Sequence, residues 1–192
     1  MRLRTAAVLC AIFATASAQA SVSVPGRGFA HDCFIAAEHD YGSAFGEEPC
    51  TVALQSEPLS LRDRAATFVN RGVIRTKMKR FDEALADYEQ AINLGGHLEP
   101  PDLGVAYVDR AFILREMGRY REAIDSATKG LSVGTSKPQL GYYVRAVAEE
   151  ELGDLKAAYY DYKQAVALQP DFDLAARQLS RFRVQIRSGP GA

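Results

Sequence analysis

Residues 107–130 read YVDRAFILREMGRYREAIDSATKG, and two further stretches repeat the spacing: FVNRGVIRTKMKRFDEALADYEQA at 68–91 and YYVRAVAEEELGDLKAAYYDYKQA at 142–165. In each stretch an aromatic residue is followed by a small residue four positions on, by Ala twelve positions further and by another small residue after seven more. These residues are Phe68, Gly72, Ala84 and Ala91, then Tyr107, Ala111, Ala123 and Gly130, and last Tyr142, Ala146, Ala158 and Ala165. A signature that recurs about every 34 residues predicts a stack of helical hairpins.

The small residues of this pattern indicate how the helices pack. Two helices approach to about 8–10 Å between their axes, and small side chains at the crossing allow the closest approach. We therefore expect these residues to lie where the two helices of each hairpin cross. They are Gly72, Ala111 and Ala146 on the first helix of each pair, and Ala84, Ala123 and Ala158 on the second.

These spacings, together with Asn-Arg-Gly at 70–72, resemble the tetratricopeptide repeat. The resemblance implies an all-α fold, a right-handed superhelical stack of antiparallel helix pairs. It predicts repeat units at residues 60–98, 104–137 and 139–171. Such stacks usually bind other proteins and carry no reactive centre, so we expect a non-enzymatic scaffold without cofactor or metal.

Both ends of the stack carry signals of their own. Residues 21–59 resemble a degenerate extra hairpin, in which Gly and Pro separate two short helical stretches. At the other end, apolar residues recur at steps of three and four and predict a capping helix over 172–187. These residues are Phe172, Ala175, Leu179, Phe182 and Ile186. Residues 188–192 are expected to form a flexible tail.

The first twenty residues are typical of a secretory signal peptide. Arg2 and Arg4 precede a mostly apolar run over 6–16, and the small-x-small sequence 18–20 offers a cleavage site. Cleavage after Ala20 removes two of the 23 basic residues and none of the 24 acidic ones, which leaves 21 against 24 and a formal charge of −3. We therefore expect a soluble periplasmic protein, without an integral membrane segment after cleavage and without a nucleic-acid partner.

Cys33 and Cys50 are the only cysteines outside this leader, and two cysteines in an exported chain usually pair. A disulfide would hold the short N-terminal hairpin closed. Two alternatives remain: metal binding by both cysteines with His31 and His39, or two reduced thiols that fill the core.

The seventh position of every repeat unit is arginine, whereas the family usually has leucine there. The resemblance to the Asn-Arg-Gly variant suggests ion pairs within the hairpins of units one and three. The predicted pairs are Arg71 with Asp87 and Arg145 with Asp161. The competing interpretation is that these arginines line a ligand groove.

The resemblance also implies that the first helices of the units line a concave groove that holds a protein or peptide partner. The expected groove residues are Val69, Asn70, Val73 and Lys77 from unit one, Val108, Asp109, Phe112 and Arg115 from unit two, and Tyr143, Val147 and Glu150 from unit three. Phe112 and Tyr143 are the candidate anchors. Val73, Phe112 and Val147 have the alternative of packing beneath neighbouring units.

Two other functions remain open at this point. The groove or an end of the stack could pair with a second copy, so that the protein self-assembles. A thiol- or metal-dependent enzyme is the second alternative, although the chain has no nucleophile elbow, P-loop or glycine-rich nucleotide motif.

Overall fold

Pairs of helices follow one another along nearly the whole chain. The structure, a computed structural model, describes residues 2–5, 21–39 and 43–185. Within these residues the helices are α1 (Phe29–Glu38), α2 (Ser43–Ser56), α3 (Leu61–Lys77), α4 (Phe81–Asn93), α5 (Pro100–Glu116), α6 (Tyr120–Val133), α7 (Pro138–Glu151), α8 (Leu155–Leu168) and α9 (Asp173–Ser180), with a 3₁₀ turn at Gly95–His97. Strands β1 (Arg2–Thr5) and β2 (Phe182–Gln185) form a short antiparallel ribbon. The predicted all-α hairpin stack is confirmed, and this ribbon is a small addition to it.

Three helical hairpins lie in the region of the predicted repeat units: α3 with α4, α5 with α6, and α7 with α8. Helix α5 begins at Pro100, before the predicted start of unit two at 104. The first helices α3, α5 and α7 also contact one another in sequence, so they form one face of the stack. No helix among the described residues is both long enough and apolar enough to cross a bilayer.

The small residues of the repeats lie in the core. Ala84, Ala111, Ala123, Ala146 and Ala158 are all completely buried.

Gly72 shows why a small residue is required at such a crossing. A Cβ at this position would lie 2.8 Å from Cε1 of Tyr88, an aromatic ring on the facing helix that is itself fully buried. The repeated spacing is therefore a packing requirement, because any larger side chain would separate the two helices.

The N-terminal hairpin is tied down at several points. Cys33 of α1 and Cys50 of α2 form the expected disulfide. The carboxylate of Glu57, just after α2, accepts hydrogen bonds from the backbone N–H groups of Phe29 (2.7 Å) and Ala30 (3.1 Å). This carboxylate satisfies amides at the start of α1 that the helix itself cannot pair.

The C-terminal helix is shorter than the predicted span of 172–187. It ends at Ser180, and Phe182 begins the extended strand β2, which pairs with Arg2–Thr5. Phe182 is buried with Tyr162 of α8, and the two ring centroids lie 5.8 Å apart. The apolar spacing had identified a buried Phe182 but assigned it to the wrong secondary structure, because a short apolar run suits a helix or a strand.

Several predictions concern residues beyond the described part of the chain. Ile186 and the tail over 188–192 lie outside it, as does the greater part of the predicted leader, including 6–20. The described part of the leader, Arg2–Thr5, is β1.

Candidate protein-binding groove

The unit-one end of the predicted groove is occupied by residues 21–25, which we call the N-terminal segment. Asn70 of α3 pairs with both backbone groups of Val22: its Oδ1 accepts from the Val22 N–H at 2.7 Å, and its Nδ2 donates to the Val22 carbonyl at 2.8 Å. Both hydrogen bonds are buried. The carboxamide therefore holds this peptide in the way a neighbouring strand would.

Side chains on two helices contact the rest of the segment. Nη1 of Arg62 in α3 donates to the Ser23 carbonyl at 3.3 Å. Nδ1 of His31 in α1 lies 2.9 Å from the Val24 carbonyl oxygen, at hydrogen-bonding distance. Three consecutive carbonyl groups, from Val22 to Val24, are thus bound by side chains of the hairpin stack.

The predicted contact residues of unit one are consequently covered. Val69 belongs to the same buried cluster as Val22 and is completely buried. Val73 is buried with Cys33 and Cys50 in a second cluster beneath α1. The expectation that these two valines line an open groove is corrected, because the N-terminal hairpin and the segment before it pack onto α3.

Lys77 is engaged with the same hairpin. Its Nζ donates to the backbone carbonyl of Ala37 in α1 at 2.9 Å. This contact helps to fix the end of α3 against α1.

Val108 and Asp109 of unit two are also buried and do not line an open surface. Val108 lies between units two and three, where a Cβ added at Gly130 or Gly141 would approach its Cγ2 to 2.9 or 3.3 Å. Burial raises the pKa of the Tyr88 hydroxyl well above its ordinary value, and the charge of Asp109 adds to the shift. Asp109 therefore contributes to the electrostatics of the core between units one and two.

Phe112 and Tyr143 remain partly exposed on the first-helix face beside Arg115, whose side chain is 12% exposed, and we call these three residues the central patch. Phe112 and Tyr143 pack against the same small cluster, which contains Ala111 and Val144. The guanidinium carbon of Arg115 lies 4.6 Å from the centre of the Phe112 ring, in a cation–π arrangement. The patch is continuous across α5 and α7.

Tyr143 is held firmly in this patch. Its ring lies 5.2 Å from that of Phe172 and 6.0 Å from that of Tyr162 between centroids. Burial raises the pKa of the Tyr143 hydroxyl, and the neighbouring charge of Arg115 opposes the shift. An aromatic anchor with a restricted rotamer loses little entropy when a partner binds.

Val147 and Glu150 follow Tyr143 along α7. Val147 is half-buried and packs at the edge of the cluster around Tyr162. The Glu150 carboxylate accepts a hydrogen bond from the Tyr162 hydroxyl (3.0 Å) and pairs with Nη2 of Arg181 (2.7 Å). Glu150 thereby links α7 to the end of α9, in addition to lying on the predicted face.

The signature arginines of units one and three point to carboxylates inside their own hairpins. Nε and Nη2 of Arg71 donate to the two oxygens of Asp87 at 3.0 and 2.8 Å. Arg145 does the same with Asp161, at 2.6 and 3.0 Å. Both contacts have the bidentate geometry that a planar guanidinium makes with a carboxylate, so these arginines are engaged internally.

The ion-pair network extends further than the repeat pattern indicated. Arg75, one turn after Arg71, also reaches Asp87 (Nη1 to Oδ2, 2.8 Å) and pairs with Glu47 of α2 (2.6 Å). Burial favours the neutral form of Glu47, but hydrogen bonds and charges from Arg75 and Arg80 hold its pKa below the ordinary value. The sequence analysis singled out none of Arg75, Arg80 and Glu47, and Glu47 lies in no repeat unit.

Glu149 is a titratable group that sequence reasoning did not single out. Burial raises the pKa of its carboxyl group to about 7, and the charge of Asp161 adds to this shift while Arg145 opposes it. Its Oε2 is buried and has no hydrogen-bond partner among the residues that the structure describes. This carboxyl group is therefore poised to change its charge near neutral pH.

The arrangement of the cysteines and histidines bears on the metal alternative. Cys33 and Cys50 are bonded to each other, and His31 faces the Val24 carbonyl. Within the described part of the chain, no group of three or more His, Cys, Asp or Glu side chains is placed to hold a metal ion.

Comparison with known proteins identifies relatives of the repeat region. Two family models, both described as tetratricopeptide repeat, match residues 63–136 and 141–172. The chain is 30% identical over 95 residues to serine/threonine-protein phosphatase 5 of Rattus norvegicus and 31% identical over 94 residues to that of Homo sapiens. These alignments cover 50% and 49% of this chain but 18% of each phosphatase, and they concern the repeats alone.

A solved structure supports the same assignment of fold. The chain superimposes on the Arabidopsis OM64 TPR domain with a TM-score of 0.58 and 25% sequence identity. The superposition covers 64% of this chain and 96% of that domain.

Proposed function

Because residues 63–136 and 141–172 of this chain are tetratricopeptide repeats, we propose that it is a non-enzymatic interaction module of the bacterial cell envelope. Its partner is a protein or peptide that docks on the first-helix face. Repeat stacks of this kind generally act as interaction scaffolds.

The observation that carries this proposal is the central patch. The predicted contact residues of unit one are covered, whereas Phe112, Arg115 and Tyr143 stay partly accessible on adjoining helices. Aromatic and arginine side chains in one rigid patch are the residue types that dominate binding energy at protein interfaces. The helices that carry them are also held in place by buried contacts on their other faces.

The cellular location is part of the proposal and is supported by two features of the chain. The sequence over 1–20 is typical of an export signal. The disulfide between α1 and α2 suits an oxidising compartment such as the periplasm.

The test is site-specific photocrosslinking in cells that express the full chain. A photoreactive amino acid replaces Val147 beside the patch, and crosslinked species are compared with and without the changes Phe112→Ala and Arg115→Glu. The matched control is Tyr160→Ala, which removes an exposed aromatic residue of α8. We expect the patch variants to lose the crosslinked partner and the control to keep it, with unchanged helical content for all.

A crosslinked partner that both patch variants retain would reject this surface as the binding site. A crosslink to a second copy, together with a dimer mass in light scattering, would instead favour the self-assembly alternative.

A further inference from the structure

The N-terminal segment has the form of a bound peptide. Its side chains alternate: Val22 and Val24 are 1% and 4% exposed, whereas Ser23 and Pro25 point to solvent. Alternation of this kind is the property of an extended backbone that lies flat on a surface.

The contacts of the segment are those by which a groove holds an extended chain. The Asn70 carboxamide binds the N–H and the carbonyl of Val22, and Arg62 binds the next carbonyl. These hydrogen bonds involve only backbone groups of the segment, so they do not depend on which side chains the segment carries. The two valine side chains enter a cluster of buried apolar residues that includes Ala66 and Val69, so specificity resides in two apolar positions separated by one residue.

The segment is joined to the fold by a short connection. Gly26 and Gly28 have φ values of 110° and 123°, which favour glycine, and residues 26–29 are exposed. Five residues with two apolar side chains offer little binding energy against the entropy of ordering them. Tethering compensates for this, because a short connection gives the segment an effective concentration of about 1 mM.

We propose that the N-terminal segment is a built-in, exchangeable ligand of the groove, and that the external partner inserts an extended strand in its place. This strand has β-branched apolar residues two positions apart, which take the places of Val22 and Val24. This inference rests on the proposed function, because the partner must dock on the first-helix face. The strand itself, however, binds at Asn70 and not at the central patch.

Two arguments support the exchange of the segment for an external strand. A partner that repeats the Val-x-Val contacts and also covers the central patch gains surface that the short segment cannot cover. The tethered segment in turn weakens the binding of every external ligand, because the apparent affinity is the intrinsic affinity multiplied by the small fraction of molecules in which the site is open. Weak ligands are therefore excluded.

The first test measures hydrogen exchange in the full unmodified chain. If the segment leaves the groove by local opening, the Val22 amide exchanges at least ~100-fold faster than the amide of Ile74, a buried residue of α3. If the segment is a permanent part of the core, both amides exchange at the rate of global unfolding, and the proposal is overturned.

The second test measures binding of a fluorescein-labelled peptide with the sequence SVSVPGRG, which is residues 21–28. The double change Val22→Ser with Val24→Ser weakens the built-in segment in the full chain, and Ser23→Ala is the matched control because that side chain is exposed. We expect the double variant to bind the peptide at least ~10-fold more tightly than the unmodified chain and the control.

Addition of Asn70→Ala to the double variant should abolish this binding, whereas Phe112→Ala should leave it unchanged. Absence of peptide binding to a folded double variant, or binding that Asn70→Ala does not affect, would overturn the proposal. If the patch variants kept their crosslinked partner while the double variant still bound the peptide, the proposed function would be rejected and this inference would stand.

Discussion

Removal of the Asp87 carboxylate should be among the most damaging single changes in this protein. Its side chain is 3% exposed and accepts three charge-assisted hydrogen bonds, two from Arg71 and one from Arg75. The change Asp87→Ala leaves two arginines that are themselves 14% and 13% exposed without this partner. Breaking a buried ion pair by removing one member costs about 3–5 kcal/mol. This is a large fraction of a total stability of about 5–15 kcal/mol.

The assay is urea unfolding at pH 7, followed by far-UV circular dichroism. We expect the free energy of unfolding to fall by about 3 kcal/mol or more for Asp87→Ala. The change Asp161→Ala should lower the free energy of unfolding by less, because the Asp161 side chain is 10% exposed and accepts two hydrogen bonds from one arginine, Arg145. The control Asp125→Ala removes an exposed carboxylate of α6 and should change stability by no more than about 0.5 kcal/mol.

A loss below about 1 kcal/mol for Asp87→Ala would place this pair among ordinary surface ion pairs and refute the reasoning. Equal losses for Asp87→Ala and Asp125→Ala would have the same meaning, since burial would then make no difference.

The remaining predictions concern packing, pH and the disulfide. Gly72→Ala should destabilise by about 1–3 kcal/mol in urea unfolding, because its Cβ would meet the Tyr88 ring at 2.8 Å, whereas Gly96→Ala, with nothing within 4 Å, should be nearly neutral. The pKa of the Glu149 carboxyl group is raised to about 7 in the folded state, whereas the unfolded chain releases this proton near pH 4.5. The free energy of unfolding therefore falls as the pH rises from about 4.5 to about 7. Glu149→Gln should remove about 1–2 kcal/mol of that decline between pH 5 and 8, and parallel pH profiles for both proteins would contradict the assignment. Reduction of the disulfide, which joins residues 17 positions apart, should lower the free energy of unfolding by about 3 kcal/mol, measured with and without reductant.

The repeat spacing was enough to predict the hairpin stack, and the resemblance to the Asn-Arg-Gly variant suggested the arginine–carboxylate pairs. Both depend on positions within one unit, and the unit occurs three times in the chain. A requirement such as the small residue at Gly72 recurs at Ala111 and Ala146 because the same crossing is built each time. The partners Arg71 and Asp87 lie 16 positions apart in one hairpin, and this separation is repeated in unit three, so local geometry determines the contact.

Tertiary structure alone decided which part of the groove is open. Val22 and Asn70 are 48 positions apart, and no periodic pattern connects a five-residue segment to the helix that it covers. Phe182 likewise begins a strand that pairs with Arg2–Thr5, near the opposite end of the chain. A repeat pattern specifies the contacts that every unit makes, whereas the contacts at the ends of a stack are made once, and only the folded chain brings their partners together.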